Sequence, residues 1–420
     1  MSAPRSACAP EVVPVRDLPF DIDDPRLAAA AWSRLLEPGD KVTAALVSRL
    51  GAVEALQWLV SVGRRGVDAE AGPSAQAAAR LVPRLEHLDI RLELDVLAGL
   101  GGHLVLPGDQ GWPAQLDDLG EERPFALWVR GRLPGEVPMA QPGSARADTP
   151  AVAVVGARAA TAYGQRVAAE LAVGLTEAGV AVVSGGAYGI DAAAHRGTLT
   201  SGGYTVAILA GGVDRLYPAG NAALLEAIAA DGALLAEVPP GCAPSRSRFL
   251  ARNRLIAALA GATVVVEAAW RSGALNTASH AAGLSRPVGA VPGPVTSMAS
   301  AGCHRLMREQ GAVCVTDAGE VLELVMPLGA VAPQSPPVQP SLLDDLDPGA
   351  ARVLDALPAR GSAVVPSIAR AAGLSPAEVR SALGHLELGG QVERDGGAWR
   401  RARVERGERG RDRGTRRGSP

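Results

Sequence analysis

The sequence predicts an α/β protein built on a parallel β-sheet with helices on both faces, preceded by a helical segment and followed by a small domain of three helices and a hairpin. Three observations carry this. From Ala151 to about Leu328, near-continuous apolar runs alternate with stretches of helical spacing. Upstream, residues 26–100 repeat apolar positions at three and four. Downstream of a Pro-rich stretch, residues 347–402 give three short helical patterns and a hairpin centred on Gly396-Gly397.

Composition bounds the function. A chain of 420 residues is too long for one compact domain, and 47% hydrophobic with 20% charged residues is globular. The net charge of −3 does not advertise a nucleic-acid binder, so charge has to be read segment by segment. Lys41 is the single lysine, beside 40 arginines. With arginine so common, one guanidinium says little about phosphate, and clustering says more. The four cysteines, Cys8, Cys242, Cys303 and Cys314, form no CxxC pair, and Cys303-His304 with Cys314 falls short of a zinc set. Small buried thiols in a reducing cytoplasm are expected, with neither metal nor cofactor. The first twenty residues hold no signal-like apolar core, and no uncharged run reaches membrane-spanning length. A cytoplasmic protein without membrane insertion is expected.

Taken in order, residues 1–25 are expected to be a disordered N-terminus. Residues 26–105 form a helical domain, in which "RLAAAAWSRLLEPG" breaks at Pro38-Gly39 and "LVSRLGAVEALQWL" is a helix pair turning at Gly51. "HLVLPGDQGWPAQLDDL" and "PFALWVRGRL" read as short strands around turns, and residues 106–148 make a connection of strands and loop. The sheet domain runs over 149–328, with strands at "AVAVVG", "VAVVSG", "YTVAILA", "GALLAEV", "ATVVVEA" and "PVGAVPG". A Pro-rich linker spans 329–346. Three helices plus a hairpin over 347–402 is the winged-helix layout. Residues 403–420 are expected to be a disordered basic tail, since from Arg400 onward nine arginines face three acids.

In a parallel sheet, ligands sit beyond the carboxyl ends of the strands. Two glycine turns fall there, "VVGARAATAYG" and "VVSGGAYGIDAAAH". A dinucleotide would ask for G-x-G-x-x-G and an acid ending the second strand. The first turn lacks the second glycine, and the second strand runs straight into "SGG". No G-K-[ST] triplet exists, so a P-loop is excluded as well. Ser184, Gly185, Gly186 and Gly189 permit a bend whose amides point at one spot, with Asp191 able to cap the next helix. A plain tight turn is the bland alternative. His195, one turn into that helix, reads as a packing residue rather than a base. Between Glu237 and Glu267 no acid occurs, while Arg246, Arg248, Arg252 and Arg254 do, at a helix start. Arg248 and Arg252 are expected to share a face beside Phe249, where guanidinium groups bridge phosphates and the ring stacks a base. A solvated helix face is the alternative. Arg158 approaches the same rim from the first turn, and Ser272-Gly273 opens another helix there. Several helix N-termini on one rim suit a run of phosphates, which points to a polynucleotide strand.

The motifs become specific in series: "VAVVGARAATAYG", "VVSGGAYGIDAAAHRGTL", "AILAGGVDRLYPAGNAALLEAI", "FLARNRLIAALAG", "VVVEAAWRSGALNTASHAAGLSRPVGAVPG" and "GCHRLMREQGA". This series, spanning nearly all of 151–328, resembles the DNA-processing protein A (DprA/Smf) family. The resemblance implies an extended Rossmann-like domain that binds single-stranded DNA, flanked by a SAM-like helix-hairpin domain and a winged-helix domain. It implies shielding of incoming single strands during natural transformation, transfer to the RecA recombinase and a homodimer; the leading reading is a non-catalytic binder. Carried onto this chain, the family's DNA contacts fall on Arg158, on Ser184-Gly185-Gly186 and on Arg252-Asn253-Arg254. The winged helix departs from a DNA reader: Asp347–Arg400 holds six arginines and six acids, with Glu378 and Glu387 on its recognition helix. Partner docking is as good a reading there as duplex binding.

Two other classes stay open. A nucleoside-monophosphate phosphoribohydrolase shares the sheet topology. Its catalytic acid has no counterpart after the glycine of "EAAWRSGALNTA", which leaves Glu267 at the strand end as the substitute. A purely structural interaction protein would leave the clustered arginines unexplained.

Overall fold

The computed structural model of the chain describes residues 18–66, 73–133, 150–326, 347–358 and 361–402. Cys8, the Pro-rich linker and the basic tail lie outside the described residues. The chain divides into two compact units, with the boundary between Pro333 and Gln334.

The first unit opens with helices α1 (Pro25–Leu35), α2 (Lys41–Leu50), α3 (Ala52–Arg65), α4 (Pro73–Leu81) and α5 (Ile90–Gly99). Asp24 starts α1 by accepting the Arg26 and Leu27 amides, with Pro25 in the first turn. Gly51, at φ +92°, makes the expected corner between α2 and α3. Phe20 is 6% exposed and packs with Trp32, Leu56 and Leu59, so the segment up to residue 25, expected to be disordered, is packed against the helices at Phe20.

The sheet follows, with strands β1 (Gly102–Val105), β2 (Leu127–Gly131) and β3 (Ala151–Val155), helix α6 (Ala162–Glu177), β4 (Ala181–Ser184), α7 (Ile190–Thr200) and β5 (Thr205–Leu209). It continues through α8 (Ala222–Asp231), β6 (Ala233–Ala236), α9 (Arg246–Leu259), β7 (Ala262–Val265), α10 (Gly273–Gly283) and β8 (Val288–Ala290). Helix α11 (Ala301–Glu309), β9 (Val313–Cys314) and α12 (Ala318–Val325) complete it. The nine strands lie in the order β1-β2-β6-β5-β4-β3-β7-β8-β9. Strands β3 to β9 are parallel, as the unbroken apolar runs predict, and β4 to β7 are buried at every position. Alternate side chains feed two cores. Val152 and Val154 meet Ala168, Leu171 and Ala194 of α6 and α7 on one face. Ala153 and Val155 meet Leu255, Ile256, Ala274 and Ala278 of α9 and α10 on the other.

The sequence reading placed "HLVLPGDQ" and "PFALWVRGRL" in a connection. Residues 103–105 and 127–131 of them are instead strands of the sheet, β2 pairing antiparallel with β6 from Trp128↔Ala236 to Gly131↔Ala233. Strand β6 is buried and its outer backbone groups need partners, which β2 supplies. Trp128 also ties the sheet to the helical segment, its Nε1 donating to Ser33 Oγ at 3.0 Å in a shared core.

The chain moves outward from β3 through β4 and β5 to β6, then returns to place β7 on the other flank of β3. The crevice between the ends of β3 and β7 is a topological switch point, where open α/β sheets bind ligands.

The second unit has helices α13 (Pro348–Ala356), α14 (Val365–Ala372) and α15 (Pro376–Leu388) and a hairpin of β10 (Val392–Asp395) and β11 (Ala398–Arg401). Val353, Ile368, Val379, Leu383 and Val392 form its core. Gly396, at φ +64°, turns the hairpin. This is the expected winged helix. The acids on α15 are used locally: Glu378 closes a capping box with Ser375, and Glu387 pairs with Arg394 at 3.1 Å.

Candidate nucleic-acid interface

A cavity of about 670 Å³ opens at the switch point. The neighbouring strand ends contribute: Gly156 and Arg158 after β3, Ala187 and Asp191 after β4, Tyr217 after β5, Ser245, Arg246, Phe249, Arg252 and Asn253 at the start of α9, and Arg271 to Gly273 after β7. Four arginines line it, Arg158, Arg246, Arg252 and Arg271, against the single carboxylate of Asp191.

Ser245 caps α9, its Oγ accepting the Arg248 amide at 3.3 Å, and Ser272 caps α10 by accepting the Ala274 amide. Asn253 Nδ2 ties the two helices by donating to Gly273 O at 3.3 Å and Asn276 Oδ1 at 3.1 Å. Arg252 is 6% exposed and donates from Nη1 to Ile208 O. Burial pulls its pKa down to about 10, with Asp191 opposing and Arg158 adding to the fall, so it remains a cation at neutral pH. Burial pushes the Asp191 carboxyl up, against the pull of Arg252 and of its amide donors. Phe249 lies between the two arginines, its ring 5.8 Å from Arg252 Cζ, 4.7 Å from Arg158 Cζ and 5.8 Å from the Tyr217 ring. Arg158, Arg246 and Arg271 are exposed, and among the described residues none of them has a carboxylate within ion-pair distance.

The glycine loop is the scaffold beneath. Asp191 Oδ2 accepts the amides of Gly185 at 3.1 Å and Ala187 at 3.4 Å. Ser184 Oγ donates to Val154 O at 2.6 Å, and Asn221 Nδ2 bridges the carbonyls of Gly186 and Ala187. A Cβ on Gly185 would collide with the Arg252 guanidinium. Gly189, at φ +77°, brings the chain against the carbonyls of Ala157 and Arg158, where no side chain fits.

Comparison with known proteins places this architecture. The family described as DNA recombination-mediator protein A matches residues 103–326, and the DprA winged helix domain matches residues 335–398. A Mycobacterium tuberculosis protein named as a DprA DNA processing protein is 46% identical over 398 residues, covering 92% of this chain and 97% of its own. The chain belongs to the DNA-processing protein A (DprA/Smf) family. The DNA processing protein DprA of Streptococcus pneumoniae is 43% identical over 173 residues, which is 41% of this chain and 61% of that protein. The X-ray structure of the Streptococcus pneumoniae protein superposes with a TM-score of 0.53 at 30% identity, over 68% of this chain and 96% of that one.

Within this DprA/Smf chain, the structure gathers Arg158, Arg246, Phe249, Arg252, Asn253, Ser272 and Gly273 around one cavity. It does not bring Ser184, Gly185, Gly186 or Gly189 to that lining. The Gly185 amide faces Asp191 instead of a ligand, because a buried carboxylate needs donors. Arg248 is also elsewhere, forked onto Glu37 with both bonds at 2.8 Å, which holds the Glu37 carboxyl below its usual range. Arg254 is 2% exposed and forks onto Glu237 at 2.6 and 2.7 Å, with Nε on Glu122 O. Helix α9 is buried continuously from Arg252 to Ala258, so its arginines face three different neighbours rather than one surface. Tyr217, Leu250 and Arg271 line the cavity and were not singled out in the sequence. Asking which residue follows each strand end would have found Tyr217 and Arg271.

Two residues weighed for chemistry are turned inward. Glu267 is 2% exposed and accepts Thr161 N at 2.9 Å and Thr161 Oγ1 at 2.5 Å, filling space left by Gly164. His195 is buried against Thr205 Oγ1 at 2.7 Å, and burial, reinforced by the charge of Arg252, holds its pKa down to about 3. Neither lines the cavity. Among the described residues, no cluster of His, Cys, Asp or Glu is placed to hold a metal ion, and no single helix is long and apolar enough to cross a membrane.

Proposed function

We propose that the cavity binds single-stranded DNA through its phosphates and stacked bases, without catalysis, and that a homodimer of this chain hands the strand to a RecA-type recombinase. The observation that carries the binding is the trio Arg158, Arg246 and Arg271, uncommitted cations around the Phe249 and Tyr217 rings. Phosphate neutralisation supplies affinity, and the rings accept bases of any sequence. The alternative enzyme reading relied on Glu267 as its acid, and Glu267 lies outside the cavity lining, committed to the start of α6.

The test is fluorescence anisotropy with oligo-dT across a salt series. Arg158→Ala/Arg246→Ala is expected to weaken binding by orders of magnitude at moderate salt and to flatten the salt slope by about two, one for each lost contact. Unchanged affinity in a folded double variant overturns the assignment. RecA transfer is tested separately, by whether the wild-type protein speeds recombinase assembly on strands precoated with a single-strand binding protein.

A further inference from the structure

We propose that the strand leaving the cavity runs onto a second stacking platform, made by Trp270 with Arg305 overhead. This rests on the single-strand reading of the cavity. Trp270 immediately precedes Arg271, a wall of the cavity, yet is not itself part of the lining. It is 46% exposed and belongs to none of the apolar cores of its unit. An indole exposed beside a cationic cavity presents a face on which a base can stack.

The surrounding backbone is built to hold it. The Ala268 amide donates to Ala299 O and the Gly302 amide to Ala268 O, both at 2.7 Å, pinning the Trp270 turn to the start of α11. A Cβ on Gly302 would lie 2.7 Å from Ala268 Cβ and from Ala268 O, so only glycine permits this approach. One helical turn later, Arg305 reaches the indole, its Cζ 5.1 Å from the ring centroid. Arg305 at 2.9 Å and Arg308 at 2.6 Å share the one carboxylate of Glu309, which leaves the group net positive. A positive charge beside an open aromatic ring is the pairing that takes a base and its phosphate.

The placement is continuous with the cavity. Strands β4, β3, β7 and β8 are neighbours in that order, so their end turns succeed one another along one edge at steps of about 4.8 Å. A strand gripped at Arg158 and Arg271 meets Trp270 next.

The experiment measures affinity for oligo-dT ligands lengthened one nucleotide at a time. Trp270→Ala is expected to bind the shortest ligands as the wild type does and to lose about five- to tenfold on those long enough to leave the cavity. Trp270→Phe is expected to restore most of that loss. A bromodeoxyuridine at the ligand end, in the wild-type protein, is expected to photocrosslink to Trp270 only in the longer ligands. Equal affinity of Trp270→Ala at every length, or crosslinks confined to Phe249 and Tyr217, overturns the platform and leaves the cavity standing. If Arg158→Ala/Arg246→Ala fails to weaken even the shortest ligand, the cavity reading fails instead.

Discussion

Arg158 and Arg252 sit on the same ring and have opposite duties. Arg252 is buried beside Asp191, and removing it leaves a carboxylate in the interior without its counter-ion. Arg252→Ala is therefore expected to cost about 3–5 kcal/mol of stability, read from the denaturant midpoint. Arg158→Ala is expected to stay within about 0.5 kcal/mol of the wild type and to lose affinity only. Glu93 offers a pH test. Burial, opposed by Arg34, raises its pKa from 4.5 to about 7, and its Oε2 has no hydrogen-bond partner. The folded state thus favours protonated Glu93, and that contribution is whole below 4.5 and lost as pH rises through about 7. Glu93→Gln is expected to flatten the fall in stability across this window, measured by midpoints on either side of it. At this scale the sequence disclosed only part of the site. Arg158, Arg246 and Phe249 were legible because strand ends and an acid-free run locate them. The partners of Arg248 and Arg254 were not: Glu37 lies 211 residues away and Glu237 on a preceding strand end. An arginine's partner across the fold decides whether it is structural or free, and spacing does not show that partner.

Among the elements, the glycine loop after β4 and helix α9 act as one piece. Gly189 lets the loop touch the turn after β3, and Gly185 leaves room for Arg252. Gly189→Ala is expected to destabilise the unit by more than the ~1 kcal/mol of an ordinary glycine replacement, since backbone carbonyls block the added methyl. Its binding is expected to fall with its folding midpoint, whereas Arg158→Ala separates the two. The sheet strands were legible because burial on both faces demands unbroken apolar runs. The membership of β1 and β2 was not, since a strand of four or five residues carries no mark of which neighbour it pairs with.

For the whole molecule, the division at Pro333 and Gln334 makes a direct prediction. A chain ending there contains the entire cavity lining and is expected to bind oligo-dT in high salt as the full chain does. Any extra affinity of the full chain in low salt would come from the cationic C-terminus, whose nine arginines from Arg400 onward act over a Debye length. The sheet's two borders carry a further consequence. One is finished by the antiparallel β1–β2 pair, and the other ends in β9, whose two residues are both exposed. An incoming molecule trying to zip its own strand onto that margin would find a rung or two and no more. The proposed homodimer would then not be built by strand addition at β9, and would survive conditions that dissolve a β-ribbon joined there.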